Sequence, residues 1–305
     1  MVPGHARASR HAVEGYIVRS ANLTADQRLT HQAAPAAPAA KAKKARRSGA
    51  GQYWLLSLAG LVTFFGIWWG AAATGLAPPQ FLPTPPQVLA RFVELTQAPF
   101  ANYTLQTHLW SSLMRYLMGF LLAAAIGVPL GLLMGWFRWL DYIVSPLFEI
   151  LRFIAPIAWV PFAALWFGTG IGGPVLIIFA GAFPPCVVNA YRGAKYVDAK
   201  LLEAARMLGA SSRMILLEVL LPAALPSIMA GLRVSAGLGW MSLVGAELIV
   251  ASSGIGYMMV KGQSNIDTPI VMSAMIAIGI VGGLIDVLLR QIENFAMRNR
   301  RRALK

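Results

Sequence analysis

LMRYLMGFLLAAAIGVPLGLLMGW, residues Leu113–Trp136, decides the fold class. Arg115 is its only charged side chain, and a helix needs about 20 predominantly apolar residues to cross a bilayer. Lipid cannot satisfy backbone N–H and C=O groups, so a run this long and this apolar is a helix whose hydrogen bonds are all internal. Its glycines Gly127, Gly131 and Gly135 recur every fourth residue. They form a face on which another helix backbone can approach closely.

Five more windows of the same kind flank it: Trp54–Thr74, Ile143–Trp166, Pro174–Tyr191, Ala224–Ile249 and Pro269–Leu289. The fourth in chain order is the shortest and is interrupted by Pro184 and Pro185. Small residues repeat at the same spacing at Gly231, Ser235 and Gly239, and again at Gly279 and Gly283. These are packing signals and carry no functional information. The whole chain agrees with a membrane protein: 57% of its 305 residues are hydrophobic and 12% charged, about half the charge of a soluble domain. The predicted fold is all-α, a polytopic bundle of six transmembrane helices. A single cysteine, Cys186, excludes a disulfide framework within the chain. The histidines His5, His11, His31 and His108 are scattered, which points away from a metal cluster.

The net charge of +14 is concentrated at the ends and in one loop. Residues 1–52 hold nine Lys and Arg residues and Ala/Pro runs with little apolar periodicity, and read as a disordered basic tail. That tail closes with Lys41, Lys43, Lys44, Arg46 and Arg47; the other terminus, residues 294–305, closes with Arg298, Arg300, Arg301, Arg302 and Lys305. Charge beside apolar spans sets topology and meets anionic lipid, so nucleic acid is not an expected partner. A cleavable signal peptide is argued against by the length of the first apolar run and of the leader before it. Arg138 follows the second span, and Arg192, Lys195, Lys200, Arg206 and Arg213 follow the fourth. The opposite loops offer Arg91, Lys261 and, at a helix mouth, Arg115. Both termini are therefore expected in the cytoplasm. The outer connection before the second span has the proline-rich Leu82–Pro86, then amphipathic spacing over Val88–Leu95 that predicts a short surface helix.

The inner loop from about Arg192 to Pro222 reads as two helices. Asp198 is a suitable N-cap for a helix to Leu208, with Gly209 as its left-handed terminator. Leu201, Leu202, Ala204, Ala205 and Leu208 fall on one side; Lys200, Glu203, Arg206 and Met207 on the other. A second short helix is expected from about Ser211 to Leu220, running into Pro222. By composition alone the pair is either a plain interfacial connector or a docking element.

Glu203-Ala204-Ala205, three residues, Gly209, nine residues, Val219, one residue and Leu221-Pro222 resembles the EAA signature of the membrane subunits of binding-protein-dependent ABC importers. The resemblance runs from about Leu82 to Glu293 and is strongest to the nitrate, sulfonate and taurine permease branch. It includes Ala158-Trp159-Val160-Pro161, Gly245-Ala246-Glu247-Leu248 and Gly254-Ile255-Gly256-Tyr257. The chain departs where that branch often reads Arg-Pro-x-Pro-Pro, having Arg152-Phe153-Ile154-Ala155-Pro156 instead. The resemblance implies a six-span permease domain over residues 53–293 of type I importer fold. It implies a coupling helix that sits in a groove of a cytoplasmic ATPase, a solute-binding protein outside, and a second permease copy, as a homodimer. The implied cargo is a small anion of nitrate, sulfonate or taurine type; permeases for a vitamin precursor such as a thiamine-pathway pyrimidine share the same motifs. On this reading the coupling residues are Glu203, Ala204, Ala205, Met207, Gly209, Val219, Leu221 and Pro222. Glu203 pairs either with a basic residue of the ATPase or with Lys200 or Arg206 on its own helix. The chain has no G-x-x-x-x-G-K-[ST] phosphate loop, so ATP and Mg belong to the partner; the chain binds no cofactor and is not an enzyme. An ion-coupled carrier or channel working without ATP is the rival class, and loss of uptake with a protonophore would mark it.

Charged groups inside spans are costly and functional by default. Glu149, Arg152 and Arg233 are the candidates for the substrate path, with Trp159 and Trp240 as its walls. Glu149 either locks helices by pairing with Arg152 or Arg233, or leaves one arginine to line an anion pathway. Glu247 and Asp286 sit near span ends, where snorkelling or interfacial pairing is expected.

Overall fold

The computed structural model describes residues 50–75, 78, 80–168 and 170–303. The bulk of the basic tail, its Lys/Arg cluster, His5, His11, His31 and Lys305 lie outside the described residues. The chain divides into two units, residues 1–62 and 63–305. The boundary runs within the first helix, α1 (Ala50–Ala73), which takes in the last three residues assigned above to the tail. The remaining elements all belong to the second unit.

The surface helix appears as α2 (Pro85–Gln97), entered through Pro85 and Pro86 with the Thr84 N–H donating to Gln87 Oε1 at 2.9 Å. Next, α3 runs from Leu105 to Trp136, eight residues earlier than its apolar window. His108, Ser112 and Arg115 depress hydropathy there, yet all three are buried with partners on other elements, so the helix continues.

The third apolar segment is broken near Pro156. It is α4 (Arg138–Leu151), a 3₁₀ turn (Pro156–Trp159) and α5 (Val160–Phe167), the two helical arms bent by 87°. Pro156 cannot donate to a preceding turn and pushes Ala155 to an extended ψ of 139°, which breaks the ladder. By contrast α6 (Gly172–Lys195) passes unbroken through Pro184 and Pro185. Neighbouring helices on both sides hold it straight, as is common for proline in membrane helices.

After α7 (Ala199–Met207), the predicted second short helix proves to be the opening of one 39-residue helix, α8 (Ser212–Val250). Residues Ile215–Leu220 form a π-helical stretch in which the Leu221 N–H reaches Leu216 O, and this widened turn carries the helix on through Pro222. α9 (Ile255–Ser264) and α10 (Thr268–Ala303) complete the chain. Among the described residues five helices are long and apolar enough to cross a membrane, and the bent pair supplies a sixth apolar segment.

α6 is the centre of the packing, between α3 and α8. The α3 glycines let its backbone come so close that a Cβ on Gly131 would stand 2.4 Å from Val187 O. On the other side a Cβ on Gly231 would stand 2.4 Å from Asn189 Cβ, and Cys186 Sγ donates to Ser235 Oγ at 3.0 Å. Tyr116, Phe120, Ile178, Ala182, Ala236, Trp240 and Leu243 fill the space where the three helices meet. The stripe expected on the last span is not used this way: a Cβ on Gly279 or Gly283 would meet nothing within 4 Å. The pattern shows which faces are smooth, not which face finds a neighbour. A second cluster joins Leu95, Leu105, Ile255, Met258 and Ile270, tying α2 and α9 to α10.

Gly131→Val should therefore cost about 1–3 kcal/mol by overpacking, read as a lowered melting temperature in detergent. Gly279→Ala, which adds a methyl to open space, should leave the melting temperature unchanged.

Candidate functional site

The helix that carries Glu203-Ala204-Ala205, α7, is built by its ends. The Asp198 carboxylate accepts from the Lys200 N–H at 3.0 Å, satisfying one of the open donors of the first turn. At the other end Gly209 N–H donates to Arg206 O at 3.0 Å and Ala210 N–H to Ala205 O at 3.1 Å, the paired bonds of a Schellman stop. Gly209 has φ +78°, which a Cβ would strain.

The helix rests on the π-helical stretch of α8 through half-buried Leu202 and Ala205, and none of its residues is fully buried. Glu203 and Ala204 point to solvent. Leu208, expected on the inward side, is 88% exposed beside Met207 at 87%; the C-cap turn rotates it out of the helical register. Among the described residues Glu203 has no ion pair, so neither Lys200 nor Arg206 holds it. Val219 and Leu221 lie within α8 and are half-buried, whereas Pro222 beside them is exposed.

One turn before the loop, α6 is fastened to α4. Tyr191 Oη donates to Asp141 Oδ2 at 2.8 Å, Lys195 Nζ lies 3.2 Å from the same oxygen and also bonds Tyr191 Oη, and Ser145 Oγ donates to Asp141 Oδ1 at 2.6 Å. The end of α6 that leads into α7 is thus tied by polar contacts to the first arm of the broken span.

The break itself opens two cavities. The larger, about 370 Å³, lies between the broken span, α6 and α8, with Arg152, Pro156, Gly181, Met241 and Ser242 in its wall. The smaller, about 180 Å³, is lined by Phe148, Arg152, Trp159, Phe179 and Phe183 among others. Arg152 belongs to both. It pairs with Glu149 one turn back, its Nη2 and Nε at 2.7 and 2.8 Å from Glu149 Oε2, and its guanidinium lies 4.7 Å from the Phe153 ring centre.

The five residues assigned to the path are thus not gathered into one place. Glu149, Arg152 and Trp159 surround the break. Arg233 instead bonds Glu293 and lies 3.8 Å from Asp286, both on α10. Trp240 is 7% exposed, donates to Ile278 O at 3.2 Å, and shares with Arg233 a separate crevice of about 70 Å³.

At the opposite end of the bundle from α7 is a polar centre that sequence reasoning missed. Glu247 does not snorkel; it is 1% exposed and meets Arg115 Nη1 at 2.8 Å. Ser112 Oγ lies 2.8 Å from both carboxylate oxygens and accepts from the Ile255 N–H, while the Gly256 N–H donates to Oε2. Arg115 also donates to Ser253 O and Oγ, each at 2.6 Å. His108 accepts from the Gly254 N–H on Nδ1, so its Nε2 carries the proton given to Phe100 O, and the ring is a neutral bridge. Gly254, at φ +109°, leaves no room for a side chain: a Cβ would sit 2.3 Å from Glu247 Oε1. The signal was present in Gly254-Ile255-Gly256 beside a lone intramembrane Glu and a lone Arg, but their meeting spans 132 residues.

These features define a helical membrane transport component. Residues 127–299 match the family model described as the inner membrane component of binding-protein-dependent transport systems, and the chain belongs to that family. It is 40% identical over 227 residues to a putative ABC transporter permease of Methanocaldococcus jannaschii, covering 74% of this chain and 85% of that one. It is 36% identical over 239 residues to the taurine transport system permease of Escherichia coli K12, covering 78% and 87%. The fold resembles a chain of the inward-facing MetNI methionine ABC transporter with a TM-score of 0.56 at 21% identity, covering 63% of this chain and 95% of that chain. The protein is therefore a multi-pass inner-membrane permease subunit of an ABC importer. It is a transport subunit rather than an enzyme, and works with an ATPase and a solute-binding protein.

Removing one member of the buried Arg115–Glu247 pair should cost about 3–5 kcal/mol, because the other charge is left uncompensated. Arg115→Met and Glu247→Leu should each lower the melting temperature more than the double variant does.

Proposed function

We propose that this permease moves a small oxyanion into the cell, driven by an ATPase that grips α7. The observation that carries the coupling reading is the form of α7. It is capped at both ends, it rests on α8 by one narrow face, and it offers Glu203, Met207 and Leu208 to solvent in a basic loop. A helix with no buried residue gains little from its own chain. Exposed Met and Leu beside an unpaired carboxylate suit a groove with an apolar floor and a basic rim.

Arg192, Lys195, Lys200, Arg206 and Arg213 cluster around this segment and argue for its placement on the cytoplasmic side, with both termini on that side as well. ATP and Mg are bound by the ATPase. Residues 53–293 act as the permease domain, flanked by the basic tail of residues 1–52 and the basic end of residues 294–305. Two copies of the chain form a homodimer around the path, since six apolar segments make a thin wall for a conduit. The cargo class follows the taurine permease of Escherichia coli, and Arg152 in an otherwise apolar wall supports it. Cargo passes the break in the third span, where Glu149, Arg152 and Trp159 stand. Arg233 and Trp240 contribute to the path indirectly, by fixing α8 against α10.

In this scheme ATPase closure shifts α7, and the shift divides between α8, continuous with the loop, and α4, tied to α6 through Asp141. Glu203→Ala and Gly209→Val should each reduce ATP-driven uptake in reconstituted vesicles by about tenfold or more, the scale of losing a central interface contact. Both should also reduce co-purification of the ATPase. Wild-type uptake and co-purification in both variants would remove the coupling role.

A further inference from the structure

Among the described residues four arginines of the spanning helices make ion pairs; Arg290 pairs with Asp286 one turn back near the end of α10, and the three deeper ones are held in two different ways. Arg115 is bound by Glu247 from another helix and is 6% exposed, while Arg233 is bound by Glu293 and Asp286 from α10. Removing either would separate elements of the bundle. Arg152 is bound by Glu149, three residues back, and by no other carboxylate among the described residues. The pair joins nothing to anything. Its carboxylate is 55% uncovered by the rest of the chain, so no packed neighbour holds it in this pairing.

The place of Arg152 is equally distinct. It caps α4 at the 87° break and is the only charged residue in the wall of either cavity there. The larger cavity, about 370 Å³, falls within the range of small-molecule sites. Phe153 supports one face of the guanidinium at 4.7 Å. Nε and Nη2 are both spent on the single oxygen Glu149 Oε2, and Nη1 meets no acceptor among the described residues. A guanidinium presents a planar fork suited to two oxygens at once, and here that fork is only partly used. Across the larger cavity stands Ser242, whose hydroxyl donates to Leu238 O at 2.7 Å, with Gly181 leaving it room: a Cβ on Gly181 would lie 2.2 Å from Ser242 Oγ.

We infer that Arg152 is an anion-binding site on the transport path, at which Glu149 stands in for the cargo and is displaced when a small oxyanion arrives. This rests on the reading above that the cargo is an oxyanion. Glu149 compensates the arginine between passages and swings toward solvent when the cargo takes the fork. Arg152 is thereby given as a selectivity residue and Glu149 as an exchangeable counter-ion, not as a staple between helices.

The two roles separate experimentally because they predict opposite results at Glu149. The complete transporter of permease, ATPase and solute-binding protein is reconstituted in vesicles, and uptake is followed with labelled taurine and labelled bicarbonate as probes. Arg152→Gln should lower uptake by about tenfold or more, the scale of one lost charged hydrogen-bonding group, with the ATPase still bound. Arg152→Lys should fall between that variant and wild type. Glu149→Gln should raise uptake at sub-saturating probe, since it removes the competitor for the guanidinium. Equal loss in Glu149→Gln and Arg152→Gln would make the pair structural and overturn the proposal. If Arg152→Gln fails to assemble, Glu149→Gln decides alone: raised uptake at sub-saturating probe upholds the exchange, and unchanged or lost uptake ends it. Wild-type uptake in Arg152→Gln would remove the site while leaving the oxyanion cargo standing. No uptake of either probe by the wild-type complex would remove the cargo class and this site together.

Discussion

In lipid, apolar side chains gain little by leaving one apolar surroundings for another, so helices associate where their backbones can come close. The position of α6 between two glycine-bearing faces is the constraint on which this molecule depends. Gly131 on one side and Gly231 on the other leave no space for a single extra methyl. That closeness fixes α3, α6 and α8 as one packed body. The broken third span then lies over it, and its cavities open where the two halves of that span fail to cover α6 and α8.

Around this body the polar groups divide by function. Arg115, Glu247, Ser112 and the backbone of residues 253–256 form a closed and largely buried network at one end. A network of that kind is strong only when every member is satisfied, and it holds the turn between α8 and α9 against α3. At the other end Asp141, Tyr191 and Lys195 make a partly exposed clasp close to the coupling segment. A clasp of this sort can rearrange at lower cost than a buried pair. The bundle is thus firm where it closes the turn after α8 and more yielding where it meets α7, which suits a component moved from one end.

Much of the coupling segment was legible in the sequence because its signals are local. An Asp at the N-cap and a Gly at the C′ position describe the ends of a short helix without reference to anything distant. The glycine repeat of α3 was legible for the same reason. Leu208 was misplaced because helical periodicity does not extend into the cap, where the chain leaves the helix. The short helix after Ser211 was merged into α8 because a π-turn carries the chain past Pro222, an accommodation that proline statistics do not encode.

What the sequence alone determined is the apolar segments, the capped α7 and the small-residue faces, all properties of neighbouring residues along the chain. Only the tertiary structure decided which of the charged residues are fixed and which are open. Arg115, Arg152 and Arg233 look alike as isolated cations in apolar runs. Their meaning depends on where a carboxylate comes to rest, 132 residues away for the first and three residues away for the second. That separation is closed by helix packing, and no local pattern records it.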